Sequence, residues 1–131
     1  MVFLSIIIPI YNNSEEELSA CLSSIRRLSK KISYEVLLID DGSDIDHNNI
    51  YSKLIEGEKN IKLYRTINSG AAAARNFGVK KAIGNYIFFV DADDILPVQF
   101  VQDVSCIKNY QYDIIYGLVH FVEERSAIND K

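Results

Sequence analysis

Short apolar runs alternate along the chain with segments whose apolar residues recur every three or four positions. The first pattern is typical of strands buried in a sheet, and the second of amphipathic helices. The predicted strands are residues 4–10, 34–39, 61–64, 86–90 and 114–122. The predicted helices are residues 15–28, 45–54, 71–83 and 100–108.

Several helix ends carry their own signals. Ser14 followed by Glu17 makes a capping box at the start of the first helix. The helix over residues 71–83 begins with four alanines, whose small side chains allow a close approach to the sheet or to a ligand. Gly84 is expected to close that helix, and Ile45 is a candidate core residue of the helix before it.

The strict alternation of strand and helix predicts an α/β fold. Right-handed crossovers would place the strands in a Rossmann-like, mostly parallel sheet with helices on both faces. The 131 residues fit a single domain. The apolar run at residues 86–90 predicts a strand that is buried in this sheet.

Polar loops follow four of the predicted strands. They are residues 10–13, 40–44, 66–70 and 91–94. The carboxyl ends of parallel strands meet at one edge of a sheet, where open α/β sheets bind their ligands. The sequence therefore predicts a binding site at this edge.

Three carboxylates end the strand at residues 86–90. Asp91 and Asp93 are two apart, and in an extended chain their side chains would point the same way. Oxygen ligands of this kind suit Mg²⁺ or Mn²⁺, with substrate phosphates completing the shell. The alternative is a solvated acidic loop, in which Asp94 caps the next helix.

Charge and cysteine content indicate which binding partners and which cellular compartment to expect. The formal net charge of −4 argues against a general polyanion-binding surface, so no nucleic-acid partner is expected. Cys21 and Cys106 lie in apolar, helical patterns and are expected to be reduced core thiols, as in a cytoplasmic protein. No apolar stretch reaches 18 residues, and residues 3–10 read as a strand and not as a signal peptide.

Four motifs in order resemble those of family 2 glycosyltransferases, which are inverting enzymes with the GT-A fold. They are Ser-Ile-Ile-Ile-Pro-Ile-Tyr-Asn at residues 5–12, Val-Leu-Leu-Ile-Asp-Asp-Gly-Ser at 36–43, the segment 68–78 and the segment 84–94. The resemblance covers about residues 3 to 100. It implies transfer of a sugar from a nucleotide-diphosphate donor to a saccharide, lipid or protein acceptor.

The resemblance also implies roles for residues of the first two loops. Pro9 and Tyr11 would bind the donor, with the Tyr11 ring stacking on the base. Asp41 would accept a hydrogen bond from the base. Asp40 is expected to be structural and to bond the turn at Gly42 and Ser43.

The later motifs would hold the rest of the donor. Arg75 matches a position near the donor, where its guanidinium would offset diphosphate charge, pair with one of the aspartates, or do both. Asp91 would lie toward the ribose, and Asp93 would be the principal protein ligand of Mn²⁺ or Mg²⁺. The helix start near Gly70 is a further candidate for phosphate binding.

An inverting transferase also needs a general base, and no residue of this chain matches the family's base. Glu123 and Glu124 fall too early in the family pattern to serve. We therefore expect residues 1–131 to be the nucleotide-sugar-binding half of a GT-A glycosyltransferase, with the acceptor half absent. The truncated edge at residues 114–122 would then allow self-association.

The resemblance favours a UDP-sugar as donor and a saccharide or lipid-linked molecule as acceptor. Synthesis of surface polysaccharide or glycoconjugate is the expected setting. The expected location is cytoplasmic, with any membrane contact made through a partner or a missing region.

Three other classes of protein share parts of this pattern. A non-catalytic module of the same fold that binds nucleotide or a partner protein is the main alternative. A receiver domain would place its acidic pair after the first strand, whereas here the pair follows the second. A nicotinamide-binding Rossmann enzyme would need Gly-x-Gly-x-x-Gly after the first strand, and residues 9–13 contain no glycine.

Overall fold

The computed structural model describes residues 1–107. The predicted strand at 114–122, with Glu123 and Glu124, lies outside the described residues. The elements in chain order are β1 (Leu4–Ile10), α1 (Glu15–Ile25), a 3₁₀ turn (Arg26–Leu28), β2 (Tyr34–Asp40), α2 (Ile45–Leu54), β3 (Ile61–Arg65), α3 (Ala71–Lys81), β4 (Tyr86–Phe89) and α4 (Val98–Ile107).

The described strands form one parallel sheet in the order β3-β2-β1-β4. Ile7 of β1 lies beside Leu37 of β2 on one side and Phe89 of β4 on the other. β1 and β2 occupy the middle of the sheet, which is why their near-continuous apolar runs are buried on both faces. The predicted α/β fold with a parallel sheet is confirmed.

Helices cover both faces of the sheet. Side chains of α1, α2 and α4 pack with alternate residues of β1 and β2 in the larger core. On the opposite face, α3 packs through Ala74 against Ile7, Leu37 and Ile39. The α3 backbone lies so close to β1 that a Cβ on Gly78 would meet Cγ2 of Ile7 at 2.5 Å. Two small residues of α3, Ala74 and Gly78, thus serve contact with the sheet.

The strand β4 differs from its prediction. It is an edge strand within the described residues, with β1 as its neighbour there. Phe88 stacks on Phe100 in the larger core, but Ile87 is 40% and Phe89 47% exposed on the other face. The prediction of a fully buried strand was wrong for these two side chains, because α3 lies over β1 and β2 and leaves that face of β4 uncovered.

The predicted end of α3 was also wrong. The helix ends at Lys81, and Gly84 lies beyond it against Ser5, where a Cβ would be 2.6 Å from the Ser5 hydroxyl oxygen. The N–H of Ile83 donates to Oε1 of buried Glu35 at 2.9 Å, and that of Gly84 donates to Ser5 Oγ at 2.8 Å. These bonds draw the chain out of the helix and into β4.

Three smaller expectations change as well. The core residue of α2 is Tyr51, whereas Ile45 is exposed. Cys21 is buried but Cys106 is exposed on α4, and neither of the two, both within residues 1–107, forms a disulfide. α4 begins at Val98, so its N-cap position falls on Pro97 and not on Asp94.

None of the helices in residues 1–107 combines the length and the apolar character needed to cross a lipid bilayer.

Candidate functional site

The four loops that follow the strands surround one cleft of about 430 Å³ at the carboxyl edge of the sheet. Every residue assigned to the site by sequence lines it, namely Pro9, Tyr11, Asp41, Arg75, Asp91 and Asp93. Other lining residues are Ile10, Asn13, Asn68, Gly70, Ala71 and Ala92. The structure therefore brings the predicted site residues together.

The loop after β1 is fixed through its backbone. Asn12, with φ of 50°, donates its N–H to Ser43 Oγ at 2.8 Å and accepts the N–H of Asp44 on Oδ1 at 3.1 Å. The hydroxyl of Tyr51 donates to the carbonyl of Asn13 at 2.8 Å. The Tyr11 side chain remains 52% exposed at the rim of the cleft. An aromatic face is thus presented on an immobilised loop, as stacking on a base requires.

Tyr51 supports this loop from beneath. Its side chain is fully buried in the core, and burial is the main cause that raises the pKa of the Tyr51 phenol above its ordinary value. The raised pKa extends to higher pH the range in which the phenol keeps the proton that it donates to Asn13. Nearby, the backbone N–H of His47 is the main cause that lowers the pKa of Asp44, which caps α2.

The two acids at the end of β2 have separate surroundings. Asp40 is completely buried and accepts the N–H of Ser43 at 2.9 Å and the side-chain amide of Asn48 at 2.6 Å. Its predicted structural role in the Gly42-Ser43 turn is confirmed.

Asp41 holds the start of α3. Its two carboxylate oxygens accept the backbone N–H groups of Ser69 at 2.8 Å and Gly70 at 3.0 Å. Its own carbonyl accepts the side-chain amide of Asn68 at 3.0 Å. Since Gly70 is the N-cap of α3 and has no side chain, Asp41 supplies the negative charge that a helix N-terminus attracts. Each carboxylate oxygen keeps a second lone pair for a ligand.

Asp91, Asp93 and Asp94 form an exposed acidic cluster. One carboxylate oxygen from each lies within 4.8 Å of the others. Asp91 and Asp93 converge as predicted, but the reason differs: the N–H of Asp94 donates to the carbonyl of Asp91 at 3.0 Å, so the segment is a turn and not an extended strand. Three hard oxygen donors this close together fit a Mg²⁺ or Mn²⁺ ion.

Arg75 reaches this cluster from α3. Its Nη2 lies 3.0 Å from Oδ1 of Asp91, an ion pair of two partly exposed side chains. The predicted pairing of Arg75 with an aspartate is confirmed.

The segment behind the acids is held by α1. Ser24, buried within the apolar stripe, accepts the N–H of Leu96 at 3.0 Å, and the Cys21 thiol lies 3.8 Å from the carbonyl of Asp91. Sequence reasoning missed the supporting residues Asn12, Ser24, Ser43 and Tyr51. For Ser24 a signal existed, because a serine between Cys21 and Ile25 interrupts the apolar face of the helix.

Residues 5–127 match Glycosyl transferase family 2. The chain belongs to that family. This assignment agrees with the motifs that line the cleft and with the parallel sheet.

Individual glycosyltransferases resemble this chain in sequence and in structure. The poly(ribitol-phosphate) beta-glucosyltransferase of Bacillus spizizenii is 37% identical over 130 residues, which is 95% of this chain and 20% of that protein. The crystal structure of S. aureus TarS 1-349 in complex with UDP-GlcNAc superposes with a TM-score of 0.71 and 30% identity, over 82% of this chain and 31% of that one. The crystal structure of GalNAc-T7 with UDP, GalNAc and Mn²⁺ has a TM-score of 0.58 and 25% identity, over 70% of this chain and 18% of that one. This family 2 chain, with its GT-A fold, thus spans a third or less of these proteins.

Proposed function

We propose that the cleft binds the nucleoside diphosphate of a sugar donor for a family 2 glycosyl transfer that inverts the anomeric configuration. The observation that carries this proposal is the meeting, around one cleft, of an exposed aromatic ring, a nearly buried acid and an acidic cluster. These are Tyr11, Asp41 and the group of residues 91–94. Each suits a different part of the donor.

The base would lie between Pro9, Tyr11 and Asp41. The Tyr11 ring offers a stacking surface, and such stacking contributes about 1–3 kcal/mol per base. Ionised Asp41 is an acceptor only, so it favours a base with a ring N–H, such as uracil, over cytosine, which presents an acceptor there. The complex of TarS with UDP-GlcNAc supports a UDP-sugar as donor.

The ribose and diphosphate would lie along the opposite side of the cleft. Asp91 would accept a hydrogen bond from a ribose hydroxyl, and Asp93 would be the principal protein ligand of Mn²⁺ or Mg²⁺. When bound, the cation stabilises the negative charge that develops on the departing nucleoside diphosphate. Manganese in the GalNAc-T7 complex supports this choice of cofactor.

The start of α3 is a weaker place for phosphate than the sequence indicated. The N–H of Gly70 is already bonded to Asp41, whose carboxylate would repel an anion. Arg75 is therefore the better candidate to offset charge on the diphosphate.

We place the acceptor side and the general base outside the nucleotide-sugar-binding part of the catalytic domain, which residues 1–131 would supply. Bulky acceptors would reach the sugar at the open side of the cleft. A saccharide or lipid-linked acceptor in surface polysaccharide or glycoconjugate synthesis is supported by the poly(ribitol-phosphate) acceptor in the name of the Bacillus relative.

Calorimetric titration with UDP and CDP in the presence of Mn²⁺ tests the base site. We expect UDP to bind at least about tenfold more tightly than CDP, because uracil offers Asp41 a ring N–H at the position where cytosine presents an acceptor. Tyr11→Ala should weaken UDP binding by about tenfold, whereas Ile67→Ala, a control at another exposed apolar side chain, should not. Equal affinity for the two nucleotides, or no effect of Tyr11→Ala, would contradict the assignment. Binding of UDP by a form of the protein that includes an acceptor-binding part, without any transfer of sugar, would indicate a non-catalytic module.

A further inference from the structure

Arg75 and Asp91 form a link between the two sides of the cleft. The guanidinium of Arg75, on the second turn of α3, lies 3.0 Å from Oδ1 of Asp91. The helix that carries Arg75 is anchored at Gly70 by Asp41 and along its length by the contact of Gly78 with Ile7. The guanidinium is therefore delivered to Asp91 from a rigid element.

Stability does not explain this pair. Asp91 is 58% and Arg75 36% exposed in their side chains. Ion pairs exposed to this degree contribute little to the stability of a fold. The consequence of the contact lies instead in how charge is distributed within the acidic cluster.

Arg75 makes Asp91 a poor ligand for a cation. A guanidinium keeps its positive charge at any physiological pH. A divalent cation on the same carboxylate would lie within a few ångströms of that charge and would be repelled by it. The second oxygen of Asp91 can still accept a hydrogen bond from a neutral hydroxyl without such repulsion.

We propose that Arg75 is a positioning residue that reserves Asp91 for a hydroxyl of the donor and keeps it from binding the cation directly. This inference rests on the proposed donor site. It implies that the protein alone holds a divalent cation weakly, and that the cation binds well only together with the diphosphate, which supplies the missing negative charge.

Titration with Mn²⁺ alone, followed by the electron spin resonance of the unbound ion, tests the proposal without any enzymatic readout. In Arg75→Gln, Asp91 loses its counterion, so Mn²⁺ should bind about three- to tenfold more tightly than to the parent. Damage to the fold would not tighten cation binding. Arg75→Lys keeps the charge and should stay near the parent affinity.

Two controls separate this effect from its alternatives. Lys80→Gln removes the same charge from an exposed position of the same helix and should leave Mn²⁺ affinity unchanged. The double variant Arg75→Gln with Asp91→Asn should bind Mn²⁺ no more tightly than the parent, because the second substitution removes the carboxylate that the first one releases. An unchanged or weaker affinity in Arg75→Gln, or an equal gain in Lys80→Gln, would overturn the proposal.

A parallel titration of the parent with UDP and Mn²⁺ separates the inference from the function it rests on. If the parent binds UDP together with Mn²⁺, but Arg75→Gln has no higher affinity for Mn²⁺ alone, the proposed role of Arg75 fails and the donor site stands. If the parent binds neither, both fail.

Discussion

The backbone N–H of Gly70 donates to Oδ2 of Asp41 across 3.0 Å, which joins the end of β2 to the start of α3. The acid proposed to meet the base therefore also completes the N-terminus of the helix that carries Arg75. The proposed recognition of the base and the placement of the Arg75 guanidinium thus depend on one carboxylate.

Replacement of Asp41 should consequently destabilise the fold as well as the site. Asp41→Asn leaves one carbonyl oxygen for two N–H donors and turns an amide toward the other, so we expect a loss of about 1–3 kcal/mol in the free energy of unfolding. Urea denaturation measures this loss. Asp46→Asn, at an exposed acid in the first turn of α2, should cost a few tenths of a kcal/mol. Equal stability of the two variants would show that the Asp41 contacts are not maintained in solution.

The close approach of the β2 and β3 loops gives a second prediction. Gly42 has φ of +75°, and a Cβ there would lie 2.8 Å from the backbone nitrogen of Asn68. Gly57 has nearly the same φ, +81°, but a Cβ there would have nothing within 4 Å. Both alanine variants carry the backbone strain, about 1–2 kcal/mol, and Gly42→Ala should lose at least about 1 kcal/mol more from the clash. Comparing the thermal unfolding of Gly42→Ala and Gly57→Ala isolates the effect of the clash with Asn68. Similar midpoints for the two variants would contradict the contact between the loops.

The hydroxyl of Tyr51 should matter for the donor site although it lies in the core. Tyr51→Phe keeps the ring but removes the bond to the Asn13 carbonyl, so we expect a loss of about 1 kcal/mol in stability and a severalfold weaker affinity for UDP. Tyr34→Phe is a matched control, because the Tyr34 hydroxyl pairs with Ser29 far from the cleft. It should lower stability modestly and leave UDP affinity intact. Equal UDP affinity in Tyr51→Phe and the parent would refute the link between Tyr51 and the loop.

Tyr51 also predicts a dependence of stability on alkaline pH. Its pKa is raised in the fold, mainly by burial, while in the unfolded chain it ionises near its ordinary value of about 10. The protonated phenol is thus favoured by folding, and its contribution is complete below pH ~10 and declines as pH rises toward the folded pKa. Denaturation between pH 9 and 11 should show the parent losing stability faster than Tyr51→Phe. Parallel pH curves would count against a raised pKa.

The fold followed from sequence where local pattern and burial agree. The β-branched run of β1 and the capping box of Ser14 and Glu17 are local signals, and the structure places both as predicted. The burial of β4 was predicted wrongly, because an apolar run such as Ile87–Phe89 has the same composition whether or not a helix covers it. What covers a strand depends on the path of α3, which is a property of the whole sheet.

The cleft could be predicted for a related reason, since polar residues after parallel strands must meet at one edge. The contacts that hold those residues could not. Asn12 bonds Ser43 across 31 positions, and Asp41 caps a helix 29 positions away, so neither contact has a signature within one local stretch. Asn12 and Ser43 end two of the motifs, but the motifs do not show that these two residues bond each other.

The dependence of UDP binding on Mn²⁺ is the most direct test of the donor site at the acidic cluster. Calorimetric titration of the parent should show UDP binding that weakens by about tenfold or more when Mn²⁺ is withheld. In Asp93→Asn the affinity should fall to the metal-free level with or without Mn²⁺, while Asp103→Asn, at an exposed acid of α4, should behave as the parent. Binding of UDP to a folded parent that is indifferent to Mn²⁺, or that Asp93→Asn leaves unchanged, would contradict a metal-assisted donor site in this cleft.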